Sequence, residues 1–274
     1  MRLPTLFLSH GSPLHARGGS RAADGWAALA RRLPRPQAIV MLSAHWETEL
    51  PMVAATAHPE TIHDFGGFPP DLYQMRYPAP GAPLIAQRAL ELLKDAGLTA
   101  SSNACRGLDH GAWVPLRHMY PQADVPVMQV ALQPALGSAH HLRLGAALAP
   151  LADDGVLIVG SGHMTHNLRE WMQLLRAGTT QFGQETPPAP YVEAFRGWVD
   201  RALRAPDFDD LAAWDERAPD ALRAHPSPEH FLPLLVARAA AGPLAPVERI
   251  DLGVEAQVLA MDAYVFGPPP AAPQ

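Results

Sequence analysis

The chain has 274 residues, 48% of them hydrophobic, enough to bury a sizeable core in one large domain or two small ones. The formal charge is -6 with no Lys/Arg cluster, which disfavours nucleic acid and anionic membranes as partners, and no apolar run is long enough to span a bilayer. The opening MRLPTLFLSHGSP does not read as a signal peptide and the lone Cys105 has no internal partner, so a cytoplasmic protein is expected.

In chain order, residues 3–9 form a solid apolar run that meets HGSP, a strand ending at His10. Residues 20–33 carry helical spacing, with Trp26, Leu29 and Leu33 on one face, and Pro34 and Pro36 stop them. Residues 38–44 (AIVMLSA) are a second buried strand, ending at His45, and residues 51–56 a shorter one. Residues 58–80 are rich in Pro, Gly and aromatics; Phe65, Phe68, Tyr73 and Tyr77 suit an ordered loop rather than a tether. An amphipathic helix over 83–96 stops at Gly97, a strand follows over 125–132, and a helix over 139–151. The strand at 156–160 runs into SGHMTH. Helices are expected at 191–204, 209–217 and 231–241, and closing strands at 247–252 and 258–266. The domain then spans residues 1–267, and the Pro-rich residues 268–274 are expected to be a disordered tail.

Apolar strands alternating with helices indicate a single α/β domain. Its central sheet is mixed but mostly parallel and covered by helices on both faces.

Three of those strands end alike, in LFLSHG, VMLSAHW and VLIVGSGHMTH. Ligands of open α/β sheets bind beyond the carboxyl ends of the strands. Parallel pairing would therefore gather His10, His45 and the His163/His166 pair on one rim. Further groups are His63 and Asp64 in TIHDFGGFP, Asp109, His110 and His118 in LDHGAWVPLRHMYP, and His225, Glu229 and His230 in HPSPEHF. Imidazole suits Zn, Fe, Cu and Ni, and three protein ligands with open positions is the catalytic pattern. Any one of these histidines alone is more usually a capped or hydrogen-bonded polar residue at a strand end. No GxSxG elbow, Walker loop, GxGxxG or HExxH occurs, and Cys105 lacks an activating neighbour.

The ordered set LFLSHGSP, AIVMLSAHW, TIHDFGGFP, YPAPG, LDHGAW, THNLR and PSPEHFLPLL resembles the DODA-type (4,5-DOPA) extradiol ring-opening dioxygenases. These are a branch of the class III extradiol superfamily related to the protocatechuate 4,5-dioxygenase β-subunit. The resemblance covers residues 3–266. It implies a metal at one end of the sheet, held by His10, His45 and a third ligand in PSPEH. That ligand is His230, with Glu229 as the alternative. It implies His166 as catalytic acid/base and His110 as a second active-site histidine. His63, Asp64, His163 and Arg169 are candidate substrate contacts, and Arg76 or Arg169 could meet a DOPA carboxylate. The implied cofactor is one divalent metal, Fe(II) for activity or Zn(II) as found in isolated protein. The implied partners are a small catechol and dioxygen, in a monomer or small homo-oligomer. Two other readings of the same residues are a zinc hydrolase and a non-enzymatic Memo-like binding module.

Overall fold

A computed structural model describes residues 2–180 and 184–268. Six strands form the central sheet: β1 (Thr5–Ser9), β2 (Ala38–Ser43), β3 (Val127–Gln129), β4 (Val156–Gly162), β5 (Val247–Ile250) and β6 (Ala263–Phe266). Their spatial order is β3-β2-β4-β1-β6-β5. The first four are parallel, and β6 and β5 close the sheet antiparallel beside β1. Among the described residues, seven helices of nine residues or more surround it: α1 (Arg21–Arg32), α2 (Pro83–Asp95), α3 (His110–Met119), α4 (Gly137–Leu148), α5 (Leu168–Arg176), α6 (Pro190–Leu203) and α7 (Leu232–Ala241).

Period-two alternation divides each strand between two cores. Val40, Leu42 and Ile158 point to one face, where α2, α4, α6 and α7 supply Ala89, Leu144, Phe195 and Leu234. Ile39, Met41, Leu157 and Val159 point to the other, where α1 and α3 supply Trp26, Leu29, Trp113 and Leu116. Burial on both faces is why these strands are continuous apolar runs. Among the described residues no helix is long and apolar enough to cross a membrane.

Strand β4 and the start of α7 approach each other closely. A Cβ on Gly160 or Gly162 would overlap the carbonyl oxygens of Pro233 and His230. Without side chains there, the start of α7 lies directly on the strand, and the His163 N–H donates to the His230 carbonyl at 2.8 Å.

Several expected elements are shorter or divided. Only Val127–Gln129 of residues 125–132 joins the sheet; Val130, Ala131 and Leu132 instead donate to the carbonyls of Met41, Met52 and Trp46. Residues 258–266 break at Asp262, whose buried carboxylate takes Arg196 at 2.8 and 2.9 Å and Arg249 at 2.8 Å, turning the chain out of the ladder. Pro150 ends α4 before residue 151, and residues 209–217 form two single turns rather than one helix. Helices α3 and α5 were not expected. The expectation for the tail falls, from residue 269 on, outside the described residues.

Two predictions follow from this packing. Gly162→Val should cost about 1–3 kcal/mol, the usual penalty of overpacking, read as a lower urea midpoint; an unchanged midpoint would contradict the contact between β4 and α7. The second concerns pH. Burial holds His225 and His141 each down to about 4, from an ordinary 6.5. Below pH 6.5 the unfolded chain takes up protons that the folded chain does not. Stability is therefore complete above that value and falls as pH drops towards 4, by on the order of 3 kcal/mol per fully buried imidazole. Urea titrations of chelator-treated protein between pH 7.5 and 4.5 should show the decline; a flat profile would refute it.

Candidate active site

The strands β1, β2 and β4 stop at one height, since Ser9 pairs with Gly162 and Ser43 with Ser161. The residues that follow enter a common rim: His10 after β1, His45 after β2, His163 and His166 after β4. His110 opens α3, and His230 lies just ahead of α7. All six rings line one cavity of about 320 Å³. Ring centroids are 4.9 Å apart for His10 and His45, 5.4 Å for His10 and His230, and 5.1 Å for His45 and His230. His110 lies 4.0 Å from His45, and His166 stacks on His230 at 3.4 Å.

The hydrogen bonds around the rim set which nitrogen of each ring faces inward. Pro115 has no N–H to give the Gly111 carbonyl one turn back in α3. The Ser161 hydroxyl donates to that carbonyl instead, so its oxygen accepts from the Nδ1–H of His10 at 3.0 Å. His230 donates through Nδ1 to the Glu229 carboxylate at 2.8 Å. His45 turns Nδ1 towards Asp64, 3.4 Å away, and His110 donates Nδ1–H to the same carboxylate at 3.0 Å. Each Nδ1 is thus assigned an outer acceptor, which leaves the Nε2 lone pairs for the interior. The Nε2 atoms of His10 and His45 stand 3.0 Å apart, and Nε2 of His230 is buried with no hydrogen-bond partner.

Electrostatics reinforce this. Burial, and then the neighbouring imidazoles, hold His10, His166 and His230 well below the ordinary histidine range. His45 is lowered to about 4, chiefly by burial and then by His110. These rings are neutral at neutral pH, as metal coordination requires. Burial pushes the Asp64 carboxyl up, but its bonds to His110 and the nearby His45 outweigh that and bring it to about 2.

Beneath the rim lies a second carboxylate, Asp109, completely buried. It caps α3 at Ala112 N–H and accepts from Ser43 Oγ at 2.6 Å, Gln129 Nε2 at 2.8 Å and Arg106 at 2.6 Å. It therefore ties the ends of β2 and β3 to the start of α3. Arg106 also reaches the His45 carbonyl at 3.1 Å and lies over the Trp46 ring.

Donor atoms fall into two tight sets, His10, His45 and His110, and His166, Glu229 and His230, each within 4.8 Å. The expected ligands His10, His45 and His230 straddle them around the same cavity. A neutral, inward-facing imidazole set with one orphaned buried nitrogen fits a divalent metal.

Other candidates are placed less centrally. His163 lines the cavity; neither ring nitrogen makes a well-formed hydrogen bond, although backbone groups of Ala260 and Thr165 raise its pKa somewhat against burial, which brings it to about 3. Asp64 is occupied by the histidines. His63 is not among the cavity-lining residues; its Nε2 lies near the Met75 carbonyl and its ring against Phe65, Tyr73 and Trp113. Arg169 lines a separate depression with Glu170, Gln173 and Arg223. Arg76 donates to the Tyr73 and Met75 carbonyls. Sequence reasoning missed Ser161, Arg106, and the cavity-lining Leu168 and Trp171 of α5. The signal for α5 was present, as Asn167 followed three residues on by Glu170 is a helix-start pattern, and Asn167 does cap Glu170 N–H.

Residues 4–267 match the family described as the catalytic LigB subunit of aromatic ring-opening dioxygenase. The chain is 41% identical to a "4,5-DOPA dioxygenase extradiol" of Beta vulgaris, over 96% of each chain. It is 40% identical to the protein of that name from Escherichia coli K12, over 92% of each. A crystal structure of an uncharacterized Escherichia coli K12 protein superposes with a TM-score of 0.79 at 33% identity, covering 97% of this chain and 100% of that one. With a family match over nearly its whole length and a histidine-lined cavity at the sheet's end, the chain belongs to the LigB family of aromatic ring-opening dioxygenases and is an extradiol ring-cleaving enzyme.

Proposed function

We propose that His10, His45 and His230 hold one divalent metal, that His166 is the acid/base group, and that His110 orients a catechol at the metal. The observation that carries this is the outward turn of Nδ1 on all three proposed ligands, to Ser161, Asp64 and Glu229 respectively. Glu229 is then a positioning carboxylate for His230, not a ligand.

Fe(II) held there supplies the redox exchange that lets a closed-shell catechol react with triplet dioxygen. The all-imidazole donor set also accepts Zn(II), which can occupy the site without supporting that chemistry.

The protein's own share is binding and proton handling. The Asp64 carboxylate holds the His110 ring by both its Nδ1–H and the backbone N–H, leaving Nε2 to meet a catechol oxygen. His166 makes no ring hydrogen bond among the described residues and stacks on His230, so its nitrogens are free to take a hydroxyl proton from the catechol and return one to the product. Burial keeps it neutral and therefore ready to accept. The aromatic loop at Phe65 and Phe68 limits access of water to the ring.

Two outcomes test the assignment. His166→Ala should keep its metal content and lose about 10²-fold or more of catechol-dependent oxygen uptake; normal uptake would remove His166 from the chemistry. His230→Ala should lose the metal, whereas Glu229→Gln should retain it with roughly 10–100-fold weaker affinity, the usual effect of altering a ligand's hydrogen-bond partner. Metal analysis giving the reverse order would make Glu229 the ligand.

A further inference from the structure

Outside the cavity, a further imidazole is buried beside a carboxylate. His15 and Glu255 are 4% and 5% exposed, and Nε2 of the one lies 3.0 Å from Oε1 of the other. Among the described residues Glu255 makes no other ion pair. The pair joins two segments that both reach the cavity. His15 stands in the short 3-10 helix Pro13–Arg17, directly after the HGSP turn. Glu255 stands in a hairpin between β5 and β6, Val254–Glu255 against Leu259–Ala260. Gly11, Ser12 and Pro13 of the first segment and Leu259 of the second line the cavity beside His10.

Ser20 sets the direction of the His15 ring. Its oxygen accepts from Ala23 N–H as the cap of α1, so its own proton is free for Nδ1 of His15, 2.8 Å away. That assignment leaves Nε2–H on the side of Glu255. The same ring edge is packed against Gly11. A Cβ on Gly11 would stand 2.6 Å from Cδ2 and Nε2 of His15, and 2.6 Å from Cε of Met261 at the end of the hairpin. Gly11, at φ +62°, makes the left-handed turn by which the chain leaves His10. His118 fixes the backbone of His15 in turn, donating from Nε2 to its carbonyl at 2.8 Å. The hairpin is itself held in a costly shape. Its turn residues Ala256 and Gln257 have φ of +49° and +66°, a left-handed pair that glycine or asparagine adopts far more readily. Ala256 N–H donates to the Gln184 carbonyl, Gln257 N–H to the Thr186 hydroxyl, and the Thr165 hydroxyl to the Val258 carbonyl.

A buried imidazole–carboxylate pair is a poor source of stability, because desolvation offsets most of the attraction. What it supplies is direction. We infer that His15 and Glu255 are a positioning pair for the metal site. The His15 ring braces the Gly11 turn and so aims His10, and Glu255 ties that ring to the hairpin that brings Leu259 to the cavity. The inference rests on the reading of His10 as a metal ligand.

The test uses Glu255→Gln and a double variant, His15→Leu with Glu255→Leu. Replacing both partners by apolar groups removes the directional contact without leaving a lone buried charge, so the double variant should keep at least the urea midpoint of the wild type. Titration of metal-free protein with Zn(II) against a chromophoric chelator gives the dissociation constant, and the visible bands of the Co(II)-loaded protein report ligand geometry. In both variants the Zn(II) constant should rise about tenfold, the lower end of the effect of altering a ligand's support, and the Co(II) bands should shift. A wild-type constant with wild-type bands in the double variant overturns the inference, whatever its urea midpoint. His10→Ala separates the two readings. If it loses Zn(II) while the double variant binds as the wild type does, only the positioning role falls. If it binds Zn(II) as tightly as the wild type, His10 is no ligand and both readings fall.

Discussion

Parallel pairing of β1, β2 and β4 at equal height is the constraint on which the rest of this structure depends. A one-residue slip in any of the three would turn its buried faces round and lift its histidine off the rim. With the register as it is, His10, His45 and His163 leave the sheet side by side, and α3 and α7 need only be docked against those ends. Glycines at 160 and 162 admit α7 from one side. Asp109 draws α3 in from the other, by accepting hydrogen bonds from residues at the ends of both β2 and β3.

The polar groups beneath the rim show how a helix defect can be put to use. Proline inside α3 forfeits a backbone hydrogen bond, and the freed carbonyl of Gly111 fixes the direction of the Ser161 hydroxyl, which in turn fixes the tautomer of His10. The buried Asp109 likewise costs desolvation that Arg106, Ser43, Gln129 and the cap of α3 offset. What these contacts provide is orientation. Four of the six cavity imidazoles, those of His10, His45, His110 and His230, have a designated outer acceptor.

Much of this was readable in the amino-acid sequence, for physical reasons that differ from element to element. Buried parallel strands must be solid apolar runs, so β1, β2 and β4 announced themselves, and a histidine after each marked the binding edge. Helix α3 was hidden because Pro115 argues against a helix, and its rescue by Ser161 is a contact fifty residues away in sequence that no local pattern encodes. The break at Asp262 was hidden for a similar reason, since Arg196 and Arg249 are remote in sequence. The choice between Glu229 and His230 could not be made from adjacent letters; it turns on which side chain faces inward. Arg169 was singled out as a cation for a carboxylate and His63 by its place in TIHDFGGFP; Arg169 lines a depression with Glu170, and His63 Nε2 lies near the Met75 carbonyl.

The position of β1 has a consequence for how the protein is made. It precedes the other five strands of the sheet in the chain, yet it lies inside the sheet, with β4 on one flank and β6, the last of the six, on the other; Thr5 pairs with Phe266. Pairing among β1, β2 and β4 needs only residues before 163, whereas α7, which brings His230, and β6 emerge much later. A nascent chain thus holds His10, His45 and His110 of the rim while one backbone edge of β1 stays unpaired. Such long-range closure slows folding and leaves a strand edge open to wrong partners until β6 arrives.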